Sequence, residues 1–243
     1  MMESPCLDTT HRHQVAQRKP FELLLFDLDG TLLDSVPQLH LAVDAALKAC
    51  DLASVTLEQV RTWIGNGADT LIRRAIERRY LLEGSVSPEL FGRVRAAFDA
   101  CYRAGLDKNF CLYPGVATTL QRLREAGYRM AVVTNKPAPF VAPLLKEAGL
   151  SAFFDYQLGG DVLATRKPDP APLLHVCEQL QVSPAATLMI GDSRNDIDAA
   201  KAAAIRSVGL TYGYNHGEPI ENTNPDWVMD NFSQLADLLL ANG

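Results

Sequence analysis

A chain of 243 residues, 47% hydrophobic and 21% charged and without repeats or low-complexity tracts, is long enough for one substantial ordered domain or for a core that carries a smaller one. Its net charge of −6, sequence pI near 5.4 and lack of any dense Lys/Arg run exclude the electrostatic footprint of a nucleic-acid or anionic-membrane binder, so an anionic ligand has to be met by local groups. No apolar stretch approaches the roughly 20 residues that span a bilayer.

Residues 1–20 are polar, lack the apolar run of a signal peptide and read as a flexible tail, in which His11 and His13 are expected to be solvated rather than metal-bound. The five cysteines are odd in number, widely spaced and form no C-x-x-C, which is the pattern of reduced thiols, and the expected location is the cytoplasm. Residues 22–27 (ELLLFD) then open a series of short apolar runs that continues at 128–134 (YRMAVVT), 187–191 (TLMIG) and 205–210 (IRSVGL). Runs apolar on both faces, separated by helix-length segments, predict an α/β fold with a doubly wound, Rossmann-like parallel sheet. Ligands of such sheets bind beyond the carboxyl ends of the strands, near the point where strand order reverses.

Residues 36–108 break this rhythm. Leu39, Val43, Ala46 and Leu47, and again Leu71, Ile72, Ala75 and Ile76, recur at helical spacing with no strand run among them. The segment starts just after the first strand and ends near the turn signal LYPG at 112–115, which predicts a small helical cap inserted over that strand's carboxyl end. The expected organisation is a tail over 1–20, a core made of 21–35 and 109–243, and a cap over 36–108.

The first strand runs into FDLDGTLLDS, where Asp27 and Asp29 stand two residues apart before Gly30. Like charges at the end of a buried strand raise one another's pKa, and a hard divalent cation relieves the conflict: Mg²⁺ binds through one or two carboxylates together with phosphate oxygens and water. Period-two alternation puts the two aspartates on one side of the chain, and Gly30 permits the sharp turn that follows.

FDLDGTLLDS resembles the first motif, D-x-D-G-T, of the haloacid dehalogenase superfamily, and the further motifs follow in order: Thr134 in VVTNK, Lys167 in TRKPDP, and Asp192 with Asp196 in GDSRND. The resemblance spans residues 21 to about 240, and three of the four motifs fall at or just beyond predicted strand ends. It implies an aspartyl-phosphate on Asp27, with Asp29 as the acid and base that serves the leaving oxygen and then the attacking water. Thr134 and Asn135 are implied at the phosphoryl oxygens, and Lys167 as the charge that steadies the nucleophile. Mg²⁺ is the implied cofactor, held by Asp27 and Asp192 and by Asp29, the last through its backbone carbonyl, with Asp196 in support near Lys167 or a metal-bound water.

An aspartate two residues after the nucleophile separates the phosphatases and phosphomutases of the superfamily from its dehalogenases and phosphonatases. The only lysines of the insertion, Lys48 and Lys108, offer no convincing Schiff base. Within the superfamily the chain is similar to bacterial phosphoglycolate phosphatases in FDLDGTLLDS, WIGNGAD, VVTNKP and GDSRNDI, which implies hydrolysis of 2-phosphoglycolate. Two other readings stand beside it: a phosphomutase or phosphatase acting on a small sugar phosphate, and a sensor that binds a phosphorylated ligand without turnover. The expected partner is a small phosphorylated metabolite, with neither nucleic acid nor membrane, and the expected state is a monomer or homodimer.

The cap is expected to supply the contacts to the far end of the substrate. GNGADT at 65–70 lacks the third glycine of a dinucleotide loop and follows a helical segment, so Gly65 and Asn66 are expected to present the start of a helix to the substrate. Arg74, with Arg61 and Arg73 nearby, is the expected partner for a second anionic group. Asp34 reads as a turn former, His175 as a packed helix residue, and His40 and His216 have no motif context.

Overall fold

The computed structural model describes residues 19–79, 81, 84, 86–106 and 108–241, so His11, His13, Cys6 and nearly all of the expected tail over 1–20 lie outside the described residues. In chain order the elements are β1 (Leu23–Phe26), β2 (Leu33–Asp34), α1 (Val36–Lys48), α2 (Leu57–Trp63), α3 (Ala68–Glu77), α4 (Pro88–Ala104), β3 (Cys111–Leu112), α5 (Val116–Glu125), β4 (Arg129–Val133), α6 (Ala138–Glu147), β5 (Tyr156–Leu158), α7 (Ala171–Gln179), β6 (Thr187–Gly191), α8 (Arg194–Ala202), β7 (Arg206–Leu210), β8 (Trp227–Met229) and α9 (Gln234–Leu240). Among the described residues no helix is long and apolar enough to cross a membrane, and Cys50, Cys101, Cys111 and Cys177 are free thiols.

Six strands form one parallel sheet in the order β5-β4-β1-β6-β7-β8. The chain moves outward from β1 through β4 to β5, then crosses back to β6 and continues to β8, so strand order reverses around β1. The carboxyl end of β1 is therefore the ligand-binding crevice of this topology. Alternation along the buried strands fills both faces: Leu24, Phe26, Met130, Val132, Leu188 and Ile190 belong to one apolar core, and Leu23, Leu25, Ala131, Val133 and Met189 to the other.

The four predicted runs coincide with β1, β4, β6 and β7. Two outer strands, β5 and β8, had no such signal, because each is three residues long and only its last residue is buried. The antiparallel pair of β2 and β3, with Leu33 opposite Leu112, is likewise too short for a hydrophobic pattern, and it joins the two ends of the helical insertion.

Helices α1 to α4 pack around a separate apolar cluster that includes Val43, Leu47, Val60, Trp63, Ile72, Val94, Phe98 and Tyr102. Phe140 of α6 and Tyr214 from the loop after β7 join the same cluster, so the insertion is seated on the sheet edge rather than tethered by its ends alone. Phe98 stacks on Tyr102 at 5.5 Å between ring centroids, and Tyr102 meets Phe140 edge to face at 4.9 Å, a geometry favoured by the ring quadrupoles.

Candidate active site

Three parallel strands deliver the site. Asp27 follows β1, Thr134 follows β4 and Asp192 follows β6, while Lys167 comes from the loop before α7 and Asp196 from the first turn of α8. All five are buried. The Lys167 ammonium uses three donors, to Asp27 Oδ1 at 2.9 Å, Asp196 Oδ1 at 2.6 Å and the Val133 carbonyl at 2.5 Å. Asp196 divides its two oxygens: Oδ1 takes Lys167, and Oδ2 accepts the backbone N–H and hydroxyl of Ser193, closing the start of α8.

Asp192 accepts from the Thr31 hydroxyl at 2.7 Å through Oδ1 and from the Tyr214 N–H at 2.6 Å through Oδ2. Gly30 is required here for two reasons. Its φ of +92° favours a residue without Cβ, and a Cβ there would lie 2.2 Å from Asp192 Oδ2. The glycine after the D-x-D pair thus both turns the chain and leaves room for a carboxylate delivered from another strand.

Asp27, Asp192 and Asp196 each place a carboxylate oxygen such that the three atoms lie within 4.8 Å of one another. Burial pushes the Asp27 carboxyl up to about 6 from 3.8, against the pull of Lys167 and with the added repulsion of Asp196 and Asp29. Burial also holds Asp192 well above the ordinary carboxylate range, reinforced by the charges of Asp27 and Asp196. For Lys167 burial works against the ammonium, but Asp196 and Asp27 outweigh it and keep the group protonated. Three buried carboxylates against one ammonium leave surplus negative charge on an all-oxygen donor set, which is the chemistry that suits a hard divalent cation.

The carboxylate of Asp29 does not join this group. Both of its oxygens accept from the Lys136 ammonium, at 3.0 and 2.9 Å, and Oδ1 also accepts from the Ser35 hydroxyl at 2.6 Å. Asp196 takes the third place beside Asp27 and Asp192. Only the backbone carbonyl of Asp29 is left for the metal contact that the resemblance implies. The two aspartates of FDLDGT are therefore held by separate lysines in separate surroundings.

A cleft of about 560 Å³, part of it open solvent, lies above these groups. Its core side is formed by Asp27, Asp29, Thr134, Asn135, Lys136 and Lys167, and its helical side includes Leu39, Ile64, Gly65, Leu71, Phe98 and Tyr102. Thr134 Oγ1 accepts from the Lys136 N–H at 3.2 Å, which fixes the hydroxyl at the floor of the cleft. The Asn135 side chain donates to the carbonyls of Gly65 and Lys167, both at 2.9 Å, so its amide ties the helical insertion to the core.

The expected cap contacts are only partly assembled. Gly65 lines the cleft, and its carbonyl accepts from Asn135 and, at 3.0 Å, from Asn195. Asn66 is turned into the seam between insertion and core, where it meets Asn195 at 3.4 Å and Arg74 at 2.9 Å, while its carbonyl accepts from Arg166 at 3.1 Å. Arg74 corrects the expectation of an arginine at the substrate. It is 7% exposed and donates to the Trp63 carbonyl at 2.7 Å and to Asn66 Oδ1, where a buried guanidinium has to place its donors, and it fixes the turn from beneath. Arg61 lies over the Tyr214 ring and Arg73 over Phe91, so none of the three arginines lines the cleft.

Lys136, Ser35 and Tyr102 had no assigned role in the sequence reading. The one available signal is spacing: Lys136 stands two residues after Thr134 in VVTNK, which places it on the same side of the chain. Asp34 accepts from the Val36 N–H at 3.3 Å and the Tyr214 hydroxyl at 2.5 Å, a turn role. His175 meets the Tyr156 hydroxyl, His40 the Val55 carbonyl and His216 the Thr62 carbonyl.

Residues 21–204 match the family described as haloacid dehalogenase-like hydrolase. A phosphoglycolate phosphatase of Photobacterium profundum is 50% identical over 92% of this chain and 97% of the relative. Another, from Vibrio cholerae, is 48% identical over 91% and 98%. Among solved structures, one described as "a predicted phosphoglycolate phosphatase" from Haemophilus somnus shares 41% identity with a TM-score of 0.85, covering 90% of this chain and 98% of that one.

Proposed function

The chain belongs to the haloacid dehalogenase-like hydrolases, and from that membership and the site geometry we propose that it hydrolyses 2-phosphoglycolate to glycolate and phosphate, with Mg²⁺ as cofactor and Asp27 as nucleophile. The buried Asp27–Lys167–Asp196 ion cluster at the carboxyl end of β1, directly beneath the cleft, carries this reading. The names of relatives near 50% identity supply the substrate. Helices α1 to α4 act as the cap, residues 36–108, and the enzyme works in the cytoplasm on a small phosphorylated metabolite.

An Asp27 oxygen attacks phosphorus and the bond from phosphorus to the glycolate oxygen breaks, with its electron pair leaving on that oxygen. Asp29, held by Ser35 and Lys136 beside the cleft, acts in its protonated form, taken up before the substrate's bond breaks, and gives that proton to the departing oxygen. It then takes a proton from the water that attacks phosphorus, and the Asp27 carboxylate is released as phosphate forms. Lys167 holds the nucleophile in place and faces the phosphoryl oxygens together with Thr134. Asp27, Asp192 and the Asp29 carbonyl would hold Mg²⁺, with Asp196 in support, and when bound the ion supplies charge stabilisation to the phosphoryl oxygens.

The helical wall of the cleft weighs against the sugar-phosphate reading. Leu39, Ile64, Leu71 and Phe98 offer no side-chain hydrogen bonds to a row of hydroxyls, whereas a two-carbon acid needs few. A panel of phosphate esters assayed with Mg²⁺ should give phosphoglycolate a kcat/KM at least about 100-fold above sugar phosphates and nucleotides. A preference for a sugar phosphate, or turnover that depends on a sugar bisphosphate, would refute the assignment of substrate. Metal-dependent phosphate release from no ester at all would favour the sensor.

A further inference from the structure

A substrate with a carboxylate at the end away from its phosphate needs a second cationic partner, and Lys136 is placed to be that partner. Among the described residues lining the cleft, the cations are Lys136 and Lys167. Lys167 is held between Asp27 and Asp196 at the phosphoryl end, with its third donor on the Val133 carbonyl. Of the arginines near Gly65, Arg61 and Arg73 lie over aromatic rings and Arg74 donates into the turn beneath it.

Lys136 bridges the two ends of the cleft. Its ammonium faces Asp29 on the core side and stands 4.8 Å from the centre of the Tyr102 ring on the helical side. That ring is fixed by its hydroxyl, which donates to Gln38 Oε1 at 2.7 Å, and by Phe98 and Phe140. An ammonium that is 6% exposed, on a short segment anchored by β4 and α6, is a preorganised point charge. The surrounding wall of Leu39, Leu71 and Phe98 keeps the local dielectric low, which strengthens attraction to an anion.

Resting on the phosphoglycolate reading above, we propose that Lys136 is the specificity-determining residue that receives the substrate's carboxylate, so that recognition of the second anion comes from the core motif rather than from the cap. The ammonium donates to both oxygens of the Asp29 carboxylate and also contacts the Tyr102 side chain, and a carboxylate entering along the Tyr102 side shares the same charge. An ester of similar size without the carboxylate makes no use of it.

The test compares 2-phosphoglycolate with ethyl phosphate in the wild type, Lys136→Met and Lys136→Gln. The wild type should prefer phosphoglycolate. In Lys136→Met turnover of both esters should fall as Asp29 loses its partner, and the preference for phosphoglycolate, as a ratio of kcat/KM values, should fall by about 100-fold or more on top of that, in the range seen when one partner of a desolvated charge pair is removed. Lys136→Gln keeps a donor toward Asp29 without the charge, and the same fall is expected there if the methionine variant does not fold. Lys136→Arg should restore most of the ratio. A wild type indifferent to the carboxylate would overturn the substrate reading together with this one. A wild type that prefers phosphoglycolate, with variants that lose both substrates equally, would overturn the role of Lys136 alone.

Discussion

Asp27→Asn is expected to abolish turnover, by about 10⁴-fold or more, without loss of folded structure. An amide is a poor nucleophile toward phosphorus, and removal of the covalent step takes away the division of hydrolysis into two easier displacements. The packing should tolerate the change, because asparagine has the shape of aspartate and its side-chain oxygen can still accept from Lys167. Electrostatics favour it in the metal-free protein. The folded-state pKa of Asp27 is raised from 3.8 to about 6, so the folded protein disfavours the ionised form and stability falls as pH climbs through that interval. Near neutral pH a neutral asparagine removes that cost and one of the charges that push on Asp192. Thermal unfolding without metal should therefore show a Tm equal to or above that of the wild type, while the Tm gain on adding Mg²⁺ should shrink because one ligand is gone. Near-normal phosphate release by this variant would show that the nucleophile lies elsewhere.

Lys167→Met should damage both activity and stability. Among the described residues the lysine is the one cation paired with Asp27 or Asp196, and its ammonium spans the nucleophile and the aspartate that opens α8. Removal of one member of a buried ion cluster leaves the others uncompensated, commonly at a cost of about 3–5 kcal/mol. Protonation of Asp27 or Asp192 would lessen this, so a loss of about 3 kcal/mol is the expected value without metal, and Mg²⁺ should restore part of it. Loss of a preorganised charge aimed at the phosphoryl oxygens should lower kcat by at least about 10²–10³-fold even where the protein is folded. Chemical denaturation with and without Mg²⁺, beside steady-state kinetics, separates the two effects. A stable, active methionine variant would remove Lys167 from the account.

The parts of the site that could be read from the sequence were those fixed by local rules. The apolar runs before Asp27, Thr134 and Asp192 announced buried parallel strands, and the ends of those strands are where this topology collects its ligand groups. Asp196 was expected beside Lys167 or a metal-bound water, and it meets Lys167 at 2.6 Å. The edge strands β5 and β8 gave no signal because half-exposed triplets have no periodicity to detect.

The cap contacts were harder to read for a different reason. Arg74 looks like an anion receptor in a linear sequence, but which way an arginine turns depends on which carbonyls the fold brings near it. Here it donates to the Trp63 carbonyl and Asn66 and is not among the residues that line the cleft. Lys136 has no such local signal for its partner, because Asp29 is 107 residues away along the chain. The pairing of each motif aspartate with its own lysine is a product of tertiary structure, with no periodicity or cap signal to betray it.

The central claim is that Asp27 accepts a phosphoryl group and passes it to water. Acid quenching of the wild-type enzyme during turnover of phosphoglycolate, followed by peptide mapping by mass spectrometry, tests it most directly. Phosphorylation should appear on the peptide that contains Asp27, rise before steady-state product accumulates and vanish in Asp27→Asn. Phosphate released with no modified aspartate at any quench time, or with the modification on Asp29, Asp192 or Asp196, would contradict the account.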